Sequence, residues 1–491
     1  MTAAAMRVRN PRTGALDHGI APLDGPAVAA VAESLRARQP AWAALPVGER
    51  MAALMRLREA VAARGEALTA ALVADTGRTR ISRIEVAGLL GLIERWAAQA
   101  PALLGVPGPR PSATPGIRVE SALHPYALVG CISPWNFPLT LAMIDAIPAL
   151  AAGCAVIVKP SEVTPRFIGP LIDALAACPD VPLALIEGDG ATGAALMEVV
   201  DYVAFTGSVA TGRKVAVAAA ARLIPASLEL GGKDPMLVLA SADPAWAAGV
   251  ALRASVVNTG QACQSIERIH VARPIHDAFV AALVAAADAA RLSWPDPGAG
   301  EIGPFIFEKQ GAIVQAQIDD ALARGARLLA GGRVETLGGG LWLKPTVLAD
   351  VTFDMAIMRE ETFGPVLPVM AFDTLEEGVA QANQGAFGLS AAVLAGSAAE
   401  ALSVAPRLRA GAVSVQDGAL TSMVWDAEKA SFGESGVGPS RMGASGLTRF
   451  LRRQAILVQE GAALPLSAYA EDARRSEERR VGKECRSRWS P

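Results

Sequence analysis

The spacing of apolar residues predicts a helical first part of the chain, followed by strands that alternate with helices. In residues 26–104, Ala, Leu, Val and Met recur every three or four positions between charged residues, which is the pattern of amphipathic helices. The proline-rich stretch from Pro107 to Pro115 breaks this pattern and indicates a boundary. From Ala127 onward, short apolar runs alternate with helix-length segments, and a second such series begins at Pro235.

This alternation predicts an α/β fold. Parallel strands need long crossover connections, and helices supply them while covering the faces of the sheet. The most apolar stretch, Leu139 to Val158, is interrupted by Asp145, Pro148 and Gly153, so it predicts a buried helix and then a strand, not a membrane span. Because the N-terminus also lacks the apolar region of a signal peptide, we predict a cytoplasmic protein that does not bind membranes.

The charge balance argues against a strongly basic surface. The chain has 491 residues, with 45 Lys and Arg against 48 Asp and Glu and a net charge of -3, so we expect a small-molecule substrate and no nucleic acid partner. The five cysteines include no C-x-x-C pair, which is typical of a reducing compartment. The four histidines form no H-E-x-x-H motif, and we predict no metal site.

Two residues are candidates for a nucleophile and its base. Cys263 ends the segment Gly260-Gln-Ala-Cys263, and Glu229 begins the segment Glu229-Leu-Gly-Gly-Lys233. A free thiol has a pKa near ~8.5 and needs a base or a cation nearby to react at neutral pH. An isolated buried cysteine is usually structural, so Cys263 becomes a candidate because of Glu229 and not by itself.

These two segments resemble the signature pair of the aldehyde dehydrogenase superfamily, and the similarity extends from about residue 20 to 460. The resemblance implies that Cys263 attacks an aldehyde and that Glu229 activates the water that releases the product. It also implies that Asn136, in Ser133-Pro-Trp-Asn-Phe-Pro-Leu139, holds the oxyanion with its neutral amide. The expected reaction is oxidation of an aldehyde to a carboxylic acid with NAD(P)+, through a thiohemiacetal and a thioester on the cysteine.

The resemblance implies a nicotinamide cofactor held by three further segments. Lys159 and Glu162 would bind the adenosine ribose, and the carboxylate of Glu162 favours NAD, with NADP as the alternative. The turn from Gly207 to Gly212 would place a pyrophosphate at a helix N-terminus. The competing glycine motif, Gly188-Asp-Gly-Ala-Thr-Gly193, is assigned to the adenine side. The complete predicted set of cofactor contacts is Ile132, Ser133, Pro134, Trp135, Lys159, Ser161, Glu162, Gly188, Phe205, Thr206, Gly207, Ser208, Gly212, Leu230, Gly231, Glu361 and Phe363.

The same resemblance implies three parts. We expect a Rossmann-type cofactor domain (1–106 and 126–231), an α/β catalytic domain (232–445) and a small β-hairpin arm for oligomerisation (107–125 and 446–465). An arm of this kind adds strands to a neighbour's sheet, so a homodimer or a homotetramer is expected. The tail, 466–491, includes a charge-dense segment, 475–491, that reads like translated sequencing adapter.

One motif departs from many relatives. Where they have Phe-Gly-Gly-x-Lys-x-Ser-Gly-x-Gly-Arg, this chain has Phe432-Gly-Glu-Ser-Gly-Val-Gly-Pro-Ser-Arg-Met-Gly443. Substrate preference therefore has to be argued separately, and Phe137 and Trp425 favour an apolar or aromatic aldehyde. Two alternatives stay open: a coenzyme-A-acylating relative, against which Glu229 argues, and a homologue that binds the cofactor without catalysis.

Overall fold

The computed structural model describes residues 5–470. The segment 475–491, interpreted above as translated adapter, lies outside the described residues. The strands, in chain order, are β1 (Met6–Arg9), β2 (Leu16–Ile20), β3 (Arg110–Pro111), β4 (Ile117–Pro125), β5 (Leu128–Ile132), β6 (Ala155–Lys159), β7 (Leu183–Leu185), β8 (Tyr202–Thr206), β9 (Ala226–Glu229), β10 (Asp234–Val238), β11 (Ile266–Ala272), β12 (Arg327–Ala330), β13 (Glu335–Leu337), β14 (Gly340–Trp342), β15 (Thr346–Ala349), β16 (Val366–Phe372), β17 (Ser390–Leu394), β18 (Ala412–Val415), β19 (Gly436–Val437) and β20 (Leu451–Gln459).

The α-helices cover the first part of the chain and then the crossovers between strands. They are α1 (Gly25–Ala44), α2 (Val47–Ala63), α3 (Gly65–Thr76), α4 (Thr79–Leu103), α5 (Pro138–Met143), α6 (Ala146–Ala152), α7 (Ile168–Ala176), α8 (Gly190–Met197), α9 (Val209–Ala221), α10 (Pro244–Val256), α11 (Arg273–Ala289), α12 (Glu308–Ala323), α13 (Ala356–Arg359), α14 (Leu375–Ala382), α15 (Ala398–Val404) and α16 (Ser445–Thr448). In the part of the chain that the structure describes, no helix combines the length and the apolar character needed to cross a bilayer.

Two largely parallel sheets confirm the α/β class. One has six strands in the order β19-β9-β8-β5-β6-β7, and only its edge strand β19 runs antiparallel to its neighbour. The other has seven strands in the order β12-β15-β16-β11-β10-β17-β18, with β12 antiparallel at the edge. The inner strands β6, β8, β11 and β17 are buried throughout, as expected for sheets with helices on both faces.

Two local predictions were wrong. The segment from Leu139 to Ala152, expected to be a single helix, is divided into α5 and α6. Pro148 has no N–H to donate to the carbonyl of Ile144, so the helical ladder is interrupted there. The hairpin of β1 and β2 was also missed, since its short strands carry charged residues and little apolar alternation.

The chain divides into two compact units. Among the described residues, the larger one contains 5–104 and 125–451, and both large sheets belong to it. The smaller one contains 105–124 and 452–470, with a three-stranded sheet in the order β20-β4-β3. Within the smaller unit, Arg118 forms an ion pair with Glu460 at 2.6 Å, and His124 is hydrogen-bonded to Gln454 at 2.8 Å. The domain boundaries expected from the sequence stay predictions.

Candidate active site

The carboxyl ends of neighbouring strands in the six-stranded sheet open into one cleft of about 860 Å³. From β5 the chain continues to β6 and β7 on one side, and it then crosses back to β8 on the other side of β5. Such a switch point leaves a crevice beyond the strand ends, where parallel sheets bind their ligands. The last residues of these three strands, Ile132, Lys159 and Thr206, all line the cleft.

Most of the predicted residues meet in this cleft. Cys263 and Asn136 line it, together with fifteen of the predicted cofactor contacts: Ile132, Ser133, Pro134, Trp135, Lys159, Ser161, Glu162, Phe205, Thr206, Gly207, Ser208, Leu230, Gly231, Glu361 and Phe363. Three predicted residues are not among those that line it, namely Gly188, Gly212 and Glu229. Gly188 packs against Thr192, although the next two residues of its loop reach the cleft.

Gly212 lies behind the cleft wall for a steric reason. A Cβ on this residue would lie 2.5 Å from Cδ2 of Leu230, which does line the cleft. Glycine therefore lets α9 pack closely against the end of β9. The turn before this helix directs the helix N-terminus at the cleft, and Ser208 caps it by accepting the N–H of Thr211. The first turn contains no acidic residue, so its positive dipole is available to an anion.

A lysine and a glutamate lie at the end of β6. Lys159 Nζ is 3.4 Å from Glu162 Oε2, and both residues line the cleft. The Lys159 side chain is almost fully buried, whereas that of Glu162 is 36% exposed. The ammonium is thus fixed, and the carboxylate keeps access to a ligand.

The surroundings of Cys263 keep its thiol protonated at neutral pH. Burial raises the pKa of Cys263 to about 12, and the carboxylates of Glu361, Glu229 and Asp234 add to the shift, while the charge of Lys429 opposes it. Glu229 is therefore within electrostatic reach of the sulfur although it does not line the cleft. A nucleophilic attack by Cys263 requires a base that takes the thiol proton.

Asn136 is held by a short network of buried amides. Its Nδ2 donates to the carbonyl of Gln261 at 3.0 Å, and its own backbone carbonyl accepts from Nδ2 of Asn258 at 3.1 Å. Asn258 in turn accepts a hydrogen bond from the buried guanidinium of Arg78. Because an amide nitrogen carries two hydrogens, Asn136 has one donor left for another acceptor.

Glu361 explains Gly231, the first glycine of the pair after Leu230, whereas a Cβ on the second, Gly232, would lie 2.5 Å from the carbonyl oxygen of Cys263. The Glu361 carboxylate accepts the N–H of Gly232 at 3.0 Å, and a Cβ on Gly231 would lie 2.7 Å from its Oε2. No residue with a side chain fits between this carboxyl and the cleft floor. Burial and the neighbouring charge of Glu267 raise the pKa of Glu361 to about 8.

Sequence reasoning missed a buried ion pair that joins three motifs. Lys233 Nζ lies 2.8 Å from Glu267 Oε2, and both side chains are almost fully buried. Glu267 also accepts the backbone N–H groups of Thr362 (2.7 Å) and Phe363 (2.8 Å), which fixes the loop that carries Glu361. Little in the sequence indicated this pair, since β11 reads Ile-Glu-Arg-Ile-His-Val-Ala and only its complete burial shows that Glu267 needs a buried partner.

Two cations near the nucleophile and the base were also missed. Lys429 is buried close enough to Cys263 to lower the pKa of its thiol. Arg441 Nε lies 3.9 Å from Glu229 Oε1. Arg441 belongs to the C-terminal motif in which the sequence departs from many relatives, and that departure was the available signal. Among residues 5–470, no group of three or more His, Cys, Asp or Glu side chains is arranged to hold a metal ion.

Comparisons with known proteins agree on one family. The model of the aldehyde dehydrogenase family matches residues 1–456. A Mycolicibacterium smegmatis protein named "Putative succinate-semialdehyde dehydrogenase", with NADP(+) in its name, is 39% identical over 435 residues, which cover 87% of this chain and 84% of that protein.

Solved structures extend the comparison to the fold. The structure of "Putative Aldehyde Dehydrogenase PutA from Anabaena variabilis" is 50% identical, with a TM-score of 0.92, and covers 94% of this chain and 99% of that one. A Mycobacterium tuberculosis aldehyde dehydrogenase complexed with NAD+ is 32% identical, with a TM-score of 0.87, and covers 94% of this chain and 96% of that one.

Proposed function

This chain belongs to the aldehyde dehydrogenase family, and we propose that Cys263, Asn136 and Glu229 carry out its reaction, the NAD(P)-dependent oxidation of an aldehyde to a carboxylic acid. The observation that carries these assignments is the convergence of the thiol and the amide on one cleft, with the Glu229 charge acting on the thiol. The three residues come from different strands and loops, so their proximity is a property of the fold and not of a single motif.

The cleft fits a dinucleotide along its length. The N-terminus of α9 suits a pyrophosphate, the pair of Lys159 and Glu162 suits ribose hydroxyls, and Trp135 and Phe363, with ring centroids 5.4 Å apart, suit a flat ring near Cys263. When bound, the nicotinamide supplies a hydride acceptor. We propose that NAD is preferred, because a 2′-phosphate would meet the carboxylate of Glu162.

The first half of the reaction takes place at the Cys263 sulfur. The sulfur forms a bond to the aldehyde carbon as the thiol loses its proton, which the high thiol pKa makes necessary. That proton passes to solvent through the cleft, which Cys263 lines, and the role proposed for Glu229 belongs to the second half. The remaining Nδ2–H of Asn136 donates to the aldehyde oxygen as it becomes an oxyanion, and such a preorganised donor is worth about 3–4 kcal/mol of barrier. Loss of hydride then leaves an acyl thioester on Cys263.

The second half is hydrolysis. Glu229 takes a proton from water, the hydroxide adds to the thioester carbon, and the carbon–sulfur bond breaks to release the acid. The sulfur takes the proton back from Glu229, which regenerates the thiol and the carboxylate. A thioester divides one difficult displacement into two easier steps. A coenzyme A thiol as acceptor would make this role of Glu229 unnecessary, so we propose water.

Two variants test the assignment. We expect Cys263→Ala to form no NADH from any aldehyde. Glu229→Gln should give a burst of NADH close to one per subunit and then little turnover, because acylation continues and hydrolysis stops. The matched control is Cys178→Ala, which removes another free thiol and should keep full turnover. Steady turnover by Glu229→Gln, or turnover that requires added coenzyme A, would contradict the proposal.

We further propose an apolar or aromatic aldehyde as substrate, a homodimer or homotetramer, and a cytoplasmic location. The rings of Phe137 and Trp425 are half-buried, although neither is in the lining of the cleft, and they support an apolar or aromatic substrate. The thiols of Cys131, Cys178 and Cys263 support a cytoplasmic location. A panel containing benzaldehyde, hexanal, succinate semialdehyde and betaine aldehyde, followed by NADH formation, tests the substrate. A higher kcat/KM for succinate semialdehyde or betaine aldehyde than for benzaldehyde and hexanal would contradict the proposal of an apolar or aromatic substrate.

A further inference from the structure

Three buried charges form a cluster, and one of them, Arg441, lies next to Glu229. The carboxylate of Asp145 accepts hydrogen bonds from two guanidinium groups, those of Arg441 (2.9 Å) and Arg449. Each of the three side chains is less than a tenth exposed. Two cations therefore share one anion in a place from which water is excluded, and Asp145 leaves one positive charge to be balanced by another group.

Arg441 reaches from this cluster to the cleft. Its Nη2 also donates to Oγ1 of Thr206 at 2.6 Å, and Thr206 lines the cleft at the end of β8. The guanidinium is thus held at one end by two hydrogen bonds, and its plane cannot turn freely. Burial lowers the pKa of Arg441, but the charges of Asp145 and Glu229 outweigh burial and raise it, so the group stays a cation.

The other end of the guanidinium faces Glu229. Arg441 Nε is buried and has no hydrogen-bond partner among residues 5–470. It lies 3.9 Å from Glu229 Oε1, which is an ion pair but too long for a hydrogen bond. A buried N–H without an acceptor is costly, and a modest rotation of the Glu229 side chain would supply the acceptor.

We propose that Arg441 is a positioning residue for Glu229, whose carboxylate it holds by charge and by its free Nε–H for the hydrolysis of the thioester. This inference rests on the role proposed above for Glu229. Neutralisation of Asp145 alone does not account for the geometry, because Arg449 already pairs with Asp145 and an arginine that served only Asp145 would not need to direct Nε at a second carboxylate.

The charged groups around Glu229 define the test. Arg441 forms an ion pair with Glu229, and the charge of Glu229 raises the pKa of both Arg441 and the Cys263 thiol. Lys429, Glu361 and Asp234 also act on the thiol. Acylation replaces the thiol proton by the acyl group, and Arg441 remains the cation paired with Glu229. p-Nitrophenyl acetate transfers its acetyl group to the thiol with loss of p-nitrophenol, so hydrolysis of the acetyl-enzyme can be followed without cofactor by intact mass.

We expect Arg441→Gln to slow hydrolysis of the acetyl-enzyme about tenfold at neutral pH and to move the acid limb of its pH profile to higher pH, because a carboxylate that loses a nearby cation ionises less readily. Arg441→Lys keeps the charge, so the pH midpoint of the acid limb should stay near that of the wild type. Arg449→Gln is the matched control: it disturbs the same cluster, so the melting temperature should fall while the midpoint stays in place.

The outcomes separate two failures. If Glu229→Gln hydrolyses the acetyl-enzyme as fast as the wild type, the role proposed for Glu229 is wrong and the inference about Arg441 is wrong with it. If Glu229→Gln is slow but Arg441→Gln keeps the wild-type midpoint, or shifts it no more than Arg449→Gln does, Arg441 has a structural role only and the inference alone is overturned.

Discussion

Lys429 is a single residue whose charge acts on the nucleophile. It is 9% exposed, and its Nζ has no hydrogen-bond partner in the part of the chain that the structure describes. Its backbone N–H is held by Oγ of Ser440 at 3.1 Å. A buried ammonium without an acceptor is destabilising by itself, so the nearby carboxyls and the Cys263 thiolate are the groups that can compensate for it.

Replacement of Lys429 should make the thiol of Cys263 harder to ionise. Lys429 lowers the pKa of Cys263 against the effect of burial, so Lys429→Met should raise it further. If the shift is about one pKa unit, alkylation by iodoacetamide slows about tenfold at any pH below that pKa. Lys429→Arg keeps the charge and serves as the control. An unchanged pH dependence of alkylation in Lys429→Met would show that the ammonium does not act on the sulfur.

The loop after β6 determines the choice of cofactor at the scale of an element. Glu162 is the exposed member of its pair with Lys159 and faces the cleft. We expect the wild type to use NAD better than NADP. Glu162→Gln should lower the ratio of kcat/KM with NAD to kcat/KM with NADP about tenfold, which is ~1.4 kcal/mol, because the carboxylate that repels the 2′-phosphate of NADP is lost. Glu187→Gln, at an acidic residue outside the cleft lining, is the control. A wild type that prefers NADP contradicts this prediction.

The pair of Lys233 and Glu267 joins β10, β11 and the loop before β16. Loss of one partner leaves the other as a buried, uncompensated charge, so Lys233→Met and Glu267→Ala should each lower the free energy of unfolding by about 3–5 kcal/mol. The double variant should lose less than the sum of the two. Glu267→Ala should also weaken NAD binding more than Lys233→Met does, since Glu267 alone bonds the backbone of Thr362 and Phe363. Urea titrations and NAD titrations measure the two effects, and strictly additive losses would argue against a coupled pair.

At the scale of the whole molecule, the smaller unit presents an edge strand that can pair. β20 is the edge of its three-stranded sheet, and Ile456 and Leu457 are 42% and 69% exposed in the single chain. Exposed apolar residues on a free edge favour addition of another strand. We expect light scattering to give the molar mass of a dimer or tetramer. The double variant Ile456→Glu/Leu457→Glu should have a lower molar mass, while its far-UV circular dichroism is unchanged. A monomeric wild type would contradict the oligomer prediction.

Much of the architecture was predictable because it depends on local patterns. Helical periodicity located the region that α1 to α4 occupy, and apolar runs located the starts of the two strand–helix series, at β5 and β10. Both signals come from residues that are close together along the chain. Short contiguous motifs also identified the family, and the family model confirms that prediction. The interruption between α5 and α6 was not predicted, because the prediction relied on the apolar character of the segment and gave too little weight to Pro148.

The residue sequence determined the chemical inventory of this protein: a cysteine, a carboxylate and an amide in motifs short enough to be recognised from adjacent positions. Only the tertiary structure decided which charges act on them. Arg441 meets Glu229, Lys429 acts on Cys263, and Glu267 pairs with Lys233 across long stretches of chain. Electrostatic interactions depend on distance in space and on exclusion of water, and neither quantity follows from spacing along the polypeptide.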